Sequence, residues 1–408
     1  MVNNIFCTRA KGTEETSITI QSTQSSLGRA HKVAHNQFGS QVSLPFPPSI
    51  PCMAGRLKNY VHRWYIITSD QWILDAIRGV TIDFIAIPTQ IFVPNQYKFN
   101  PLKIKVIDEQ IACFLERGII EKATHPNKEY ISRIFIRPKK DGSYRLILNL
   151  QQLNASVEYY NFKIKNLMNV IILMTPTCFM ASIDLKDAYY SVSLNKNHRK
   201  YLRFIWEHEL FQFTCLPNGL SCAPRIFTKI LKPIYATLRS QGFKNVGYID
   251  DSYLQGGTFS ACNTNVAVTT KLFTDLGFIL NHEKSVFEPK QVITFLGFVL
   301  NSVTLTVALT PEKATKLGTK ATTVLAKQSP SVREVAELVG LMVSSFPGVK
   351  HGPLFYRQRE SLREFYRGHF CLKSPKLTLA CVRSFTSTSL SRDMKIYFIS
   401  NVLQRKNV

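Results

Sequence analysis

The chain has 408 residues, with 51 Lys and Arg against 27 Asp and Glu, a formal charge of +24. A hydrophobic fraction of 45% is too high for a disordered basic tether, so substantial buried cores and a polyanionic partner are both expected. The N-terminal text MVNNIFCTRAKGTEETS lacks the apolar core of a secretory signal and no apolar run approaches the ~18 residues of a membrane span, so a soluble intracellular protein with no membrane contact is expected.

Residues 1–54 are predicted to be a disordered leader, because 11–50 are rich in Ser, Thr, Gln and Pro without helical or strand periodicity. Residues 55–100 read as a folded N-terminal extension, with Trp64 and Trp72 among branched aliphatics as core rather than base-stacking platforms. Over 101–117 a leading proline, Ile104, Ile107, Ile111 and Leu115 at helical spacing, and Gly118 as a stop predict an amphipathic helix. SRIFIRPKKDGSYRLILNL places two apolar-alternating runs around Asp141-Gly142 and predicts a hairpin with a basic tip; KYLRFIWEHELFQFTCLP predicts a second. A helix follows, with Ile226, Ile230, Ile234 and Leu238 on one stripe and a kink expected at Pro233. NVGYIDDSYLQG reads as strand, tight acidic turn, strand; a helix closes at Gly277; ITFLGFVL reads as one further strand; and Ser331 with Glu334 has capping-box spacing before a helix ended by Pro347-Gly348.

Two acidic clusters end predicted strands: Asp184 in FMASIDLKDAYYS, and Asp250 with Asp251 in GYIDDS. Carboxylates repel one another unless a hard divalent cation neutralises them, so a pair of magnesium ions, with manganese as the alternative, is the natural complement. Such a pair activates an attacking hydroxyl and stabilises a leaving oxygen in phosphoryl transfer. An Asp-Asp pair alone is more often a solvated turn, and the order of motifs is what reverses those odds. Nine cysteines without a C-x-x-C pair, and nine histidines without ligand spacing, suggest neither a disulfide framework nor a zinc site.

Taken in order, Asp184 with Tyr189 five residues on, LPNGLSCAPRIFTKIL, YIDD at 248–251, LGFILNHEKS and FLGF resemble the five successive palm motifs of reverse transcriptases. SIDLKDAYYSVSL, HRKYLRFIWE, FTCLPNGLSCAPRIFTKILKP and SSFPGVKHGPLFYR more narrowly resemble the DIRS-like retrotransposons, which carry a tyrosine recombinase; the resemblance runs from about Gly55 to Arg359. It implies an α+β right-hand polymerase with an antiparallel-sheet palm: fingers and palm over 101–304, a helical thumb or connection over 305–365, and a basic tail at 366–408 without an assigned role.

The resemblance also implies roles. Asp184, Asp250 and Asp251 fall on the metal-binding catalytic carboxylates, and Lys284 on the lysine that protonates the leaving pyrophosphate. Tyr189, or its neighbour Tyr190, falls on the aromatic gate against a ribose 2′-hydroxyl. The backbone amides of Asp187 and Ala188, the basic hairpin residues Lys139 or Lys140 and Arg145, and Asn218 with Gly219 fall on the deoxynucleotide site. Asn218 stands where retroviral enzymes usually carry glutamine. Phe295, Leu296 and Gly297 fall on the primer grip. Each of these also has an ordinary reading as a turn, a core residue or a solvated charge. His198, Arg199, Lys200 and Arg203 read as template-tracking cations or as a surface strand. The implied partners are deoxynucleotides and a primed RNA or DNA template. The rival reading is a decayed or co-opted element remnant that binds nucleic acid without polymerising, and a second is an RNA-templated RNA polymerase, against which the bulk of Tyr189 speaks.

Overall fold

The computed structural model describes residues 54–125, 128–139, 142–327 and 330–349. The predicted leader before Ala54, the tail 366–408, residues 350–365, Lys140 and Asp141 lie outside the described residues.

A 3₁₀ turn at Arg56–Tyr60 leads into α1 (Val61–Ile67) and α2 (Gln71–Gly79). Asp70 caps α2, its side chain accepting from the amides of Trp72 and Ile73, and Ile73, Leu74, Ala76 and Ile77 bury one stripe. Trp64 is fully buried and its indole N–H donates to the carbonyl of Leu276, 3.1 Å away, so it is core. Trp72 is partly buried, with the Lys229 ammonium 3.8 Å from its ring centroid. Residues 81–100 have no long regular element; the side-chain amide of Gln90 makes both backbone hydrogen bonds of Ile131 and so stands in for a strand.

Next come α3 (Pro101–Glu116), β1 (Ile120–Lys122), β2 (Ile134–Pro138) and β3 (Tyr144–Leu148). Asn100 caps α3 ahead of the first-turn proline, and Gly118 takes φ 65°, the left-handed turn that releases the chain. β2 and β3 form the expected hairpin, with Arg137 directly opposite Arg145. Helices α4 (Gln151–Asn154) and α5 (Leu167–Leu173) precede β4 (Phe179–Asp184), and β5 (Arg203–Trp206) and β6 (Glu209–Phe213) form the second hairpin, extended by β1. The reading of Arg203 is corrected: it is only 6% exposed, its guanidinium bonded to Glu129, Gln212 and the carbonyl of Thr124. A charge with that many partners is structural rather than a template contact. Arg199 likewise reaches Glu121 at 2.9 Å, and His198 accepts from the amide of Ile82.

After α6 (Ala223–Ser240), which runs from end to end through Pro233, come β7 (Lys244–Tyr248), β8 (Asp251–Gly256), α7 (Phe259–Asp275) and β9 (Val286–Lys290). Strands β7, β8, β4 and β9, in that order, make an antiparallel sheet. Both faces of its centre are buried. Ala181, Ile183 and Leu254 join one core with α6 and α7, whereas Met180, Tyr253 and Val246 join a second core. Alternation along the strand divides the side chains between the two. The second core includes β10 (Val292–Phe295), β11 (Phe298–Asn301), β12 (Thr306–Leu309), α8 (Pro311–Leu325) and α9 (Val332–Ser345), the last opened by the capping box of Ser331 and Glu334. The expectation of a single strand across ITFLGFVL is corrected: β10 and β11 are two strands joined at Leu296-Gly297, where φ is 49° and 76°. Two successive left-handed residues make the tight turn whose twist suits a hairpin.

Gly247 in β7 illustrates how closely this sheet is packed. A Cβ there would stand 2.1 Å from a ring carbon of Tyr235, whose hydroxyl is hydrogen-bonded to Ser252 at 2.7 Å. Gly247→Ala is expected to destabilise the protein by ~1–3 kcal/mol through overpacking, read as a lower Tm, with part of the loss recovered by adding Tyr235→Leu.

Candidate active site

The acidic centre is built where β4 and β8 end. In their antiparallel register Asp184 lies directly opposite Asp251, and Tyr248 at the end of β7 also pairs with Asp251. Only Ile249 and Asp250 are left to close the β7–β8 hairpin. Ile249 takes φ 52°, a left-handed conformation that a β-branched residue adopts at a cost of ~1–3 kcal/mol. The turn is pinned by the amide of Leu185, which donates to the carbonyl of Asp250 at 2.9 Å. Register and turn together deliver three carboxylates to one edge of the sheet.

Their proton affinities reflect the crowding. Burial, then the charges of Asp250 and Asp184, push the carboxyl of Asp251 up to about 7. Asp250 is also raised, by burial and by Asp184. The charge of Lys284 opposes both shifts, which places this exposed lysine beside the centre, and Arg145 of the β2–β3 hairpin acts on Asp250 in the same sense. Among the described residues no three His, Cys, Asp or Glu side chains form a ready-made metal cage. The donors at hand are hard carboxylate oxygens, which suit an oxygen-seeking divalent ion that shares its ligands with a substrate.

The loop after β4 distinguishes the two tyrosines. Tyr190 is 7% exposed, packs edge-on against Phe114 and receives a 3.0 Å hydrogen bond from the Asn218 amide. Tyr189 is only partly buried, meets Phe227 edge-on, and its hydroxyl is raised to about 12 by burial and by the charge of Asp250. Of the pair, Tyr189 is the one on which the charge of Asp250 acts. Asn218 is engaged with Tyr190 and Gly219 takes φ 98°. Asp187 has φ 51° and ψ 41°, Ala188 opens a right-handed 3₁₀ turn, and successive left- and right-handed residues aim their amides into a common concavity.

The remaining site residues are more scattered. Lys139 is exposed at the tip of the β2–β3 hairpin, and Lys140 lies outside the described residues. Arg137 and Arg145, both exposed, face each other across that hairpin, an unfavourable pairing of like charges that an anion relieves. Phe295 is 3% exposed and packs on Tyr253 of β8, so its side chain is core; Leu296 and Gly297 form the turn itself.

Three supporting residues escape a reading of the sequence because their partners are remote. Ser285 Oγ accepts from the amide of Asp184, while the Asn281 amide donates to the Asp184 carbonyl, so the loop bearing Lys284 clasps the end of β4. Asn154 holds the Asn218-Gly219 loop through the Gly219 carbonyl and the Ser221 amide, at 2.9 Å each. Arg117 reaches Asp187 at 2.5 Å. A polar residue at a helix end is a weak signal at most.

Residues 137–300 match the family model for reverse transcriptase (RNA-dependent DNA polymerase). The Transposon Tf2-3 and Tf2-7 polyproteins of Schizosaccharomyces pombe (strain 972 / ATCC 24843) are 23% and 22% identical over 204 residues, half of this chain. The match spans 15% of the length of each polyprotein. Among solved structures, a foamy viral protease-reverse transcriptase in complex with dsDNA superposes with a TM-score of 0.59 at 19% identity, over 84% of this chain and 73% of that one. The foamy viral enzyme in complex with RNA/DNA hybrid gives 0.56 at 18% identity, over 85% of this chain and 48% of that one. The chain has the fold of these reverse transcriptases, and its residues 137–300 are similar to the reverse transcriptase family and to retrotransposon polyproteins.

Proposed function

We propose that the protein is the RNA-directed DNA polymerase of a retroelement, adding deoxynucleotides to a primer 3′-hydroxyl with release of pyrophosphate. The observation that carries this reading is the convergence of Asp184, Asp250 and Asp251 at one sheet edge, with the charge of Asp250 acting on Tyr189. The motif text narrows the source to a DIRS-like element. The relatives are polyproteins, and the structural neighbours were solved with dsDNA or an RNA/DNA hybrid, which supports a primed template as partner.

Reverse transcriptases generally use divalent metals, and magnesium fits this centre: it is held by one or two carboxylates together with substrate phosphates rather than by a complete protein cage. Two such ions, when bound, supply activation of the primer hydroxyl and charge stabilisation at the leaving oxygen. Asp184 and Asp250 would hold them, with Asp251 as the third acidic member. Tyr189 closes the nucleotide pocket against a 2′-hydroxyl. The amides of Asp187 and Ala188, with Arg145 and the lysines of the hairpin tip, bind the triphosphate. Gly219 lets the backbone approach base or template closely, the Leu296-Gly297 turn meets the primer, and Lys284 gives its proton to the departing pyrophosphate.

With Mg²⁺ and a primed RNA template, wild-type protein is expected to extend the primer, and Asp250→Asn to lower the rate on the order of a hundredfold or more. Absence of extension by folded wild-type protein would instead favour a remnant that only binds nucleic acid. Tyr189→Ala is expected to narrow the preference for deoxynucleotides over ribonucleotides by roughly tenfold or more, measured as a ratio of kcat/KM values.

The acidic centre also predicts a linkage between pH and metal. The Asp251 carboxyl lies at about 7, above the ordinary carboxylate value near 4. A raised group contributes stability while it keeps its proton and loses that contribution as pH rises through its folded-state value. In EDTA, the Tm is therefore expected to carry a loss between about pH 4 and 7 that Asp251→Asn lacks. Mg²⁺ is expected to raise the Tm more at pH 8 than at pH 5.5, and an equal shift at both would contradict this.

A further inference from the structure

We propose that Arg117 is a positioning residue for nucleotide binding, holding Asp187 so that the turn after β4 keeps its amides aimed at the triphosphate. This rests on the nucleotide-addition reading above. Arg117 sits at the C-terminal cap of α3, immediately before the left-handed Gly118. Its backbone is fixed on both sides: the amide donates to the carbonyls of Cys113 and Leu115, and its carbonyl accepts from Ala54 at 3.1 Å. From that anchored base its guanidinium reaches Asp187 Oδ2 at 2.5 Å, 70 residues further along the chain. The two side chains are 23% and 28% exposed, so the pair is shielded enough for a charge-assisted hydrogen bond to hold geometry.

Two physical arguments give this contact a consequence at the site. The first concerns the backbone. Asp187 is left-handed and Ala188 begins a right-handed turn, and that succession makes the concave set of amides. A left-handed non-glycine residue is intrinsically unfavourable and persists when its surroundings hold it; an ion pair on its own side chain is such a hold. The second concerns charge. A bare carboxylate on the residue whose amide faces a triphosphate repels it, and a guanidinium at 2.5 Å neutralises that charge. Arg117 thus makes an aspartate tolerable where an anion must bind. It touches neither substrate nor metal and acts through Asp187.

The test is steady-state primer extension with Arg117→Met, Arg117→Lys, Asp187→Asn and the double variant Arg117→Met/Asp187→Asn. Arg117→Met is expected to raise the KM for deoxynucleotide on the order of tenfold while kcat and the KM for primer-template change by less than about threefold. Arg117→Lys, which keeps the charge, is expected to recover most of the affinity. Because both changes act on the same ion pair, and Asp187→Asn also removes the carboxylate that Arg117 neutralises, the double variant should be no worse than Arg117→Met alone. Unchanged nucleotide KM in folded variants, multiplicative losses, or a parallel fall in kcat and in template affinity would each overturn the proposal. If Arg117→Met does not fold, Arg117→Gln, which removes the charge but keeps a polar side chain, decides it by the same KM-against-kcat split, with Arg117→Lys as the near-wild-type control. Failure of wild-type protein to extend any primer would count against the polymerase reading itself, and is read separately from these ratios.

Discussion

Like charges held together against their repulsion are the constraint around which this protein is organised. Asp184, Asp250 and Asp251 are brought to one edge by the β4–β8 register and a two-residue turn, and their proton affinities rise as a result. A sheet that carries such a cluster must be rigid, because any slip of one residue would send each carboxylate to the opposite face. The sheet is accordingly buried on both sides, by α6 and α7 against one face and by the β10–β12 sheet with α8 and α9 behind the other. Cores of this kind read as ordinary hydrophobic packing, but their effect is to keep charges where they would not otherwise stay.

Two cationic side chains act on that centre. Lys284 and Arg145 moderate the carboxylates, while Arg137 and Arg145 oppose one another on the hairpin. Residues 131–165 hold seven Lys or Arg against Asp141 and Glu158, so part of the chain's positive charge is concentrated in the segment that contains the β2–β3 hairpin. A bare polyanion is attracted by such cations and repelled by the carboxylates.

Much of this was legible in the sequence, for identifiable reasons. The amphipathic stripe of α3, the hairpin around Gly142, the capping box at Ser331 and the strand-turn-strand of YIDD are local patterns, and the carboxylates lie inside contiguous motifs. Misreadings arose where the deciding partner is distant or the pattern is featureless. ITFLGFVL is apolar throughout, so its hydrophobicity conceals a turn made by two left-handed residues. Arg203 resembles a surface cation until Glu129 and Gln212 are seen around it. Gln90, Asn154 and Ser285 each complete backbone hydrogen bonds of residues far away in the chain, and composition carries no trace of such service.

The N-terminal extension bears on where the folding unit begins. Gly55 donates to the carbonyl of Tyr190, Val80 to that of Ser193, and Asn195 back to Val80, while Trp64 is tied to Leu276 at the end of the α7 region. A Cβ at Gly55 would press within 2.9 Å of Ser193, so the wrap is tight against the very segment that carries Tyr189. Residues 54–80 are thus packed against the segment that carries Tyr189, and removing everything before α3 would uncover the buried faces that Leu57, Trp64 and Ile77 share with the rest of the core. Any shortened form of this chain, transplanted or fused, has to carry the helices that precede the matched residues 137–300.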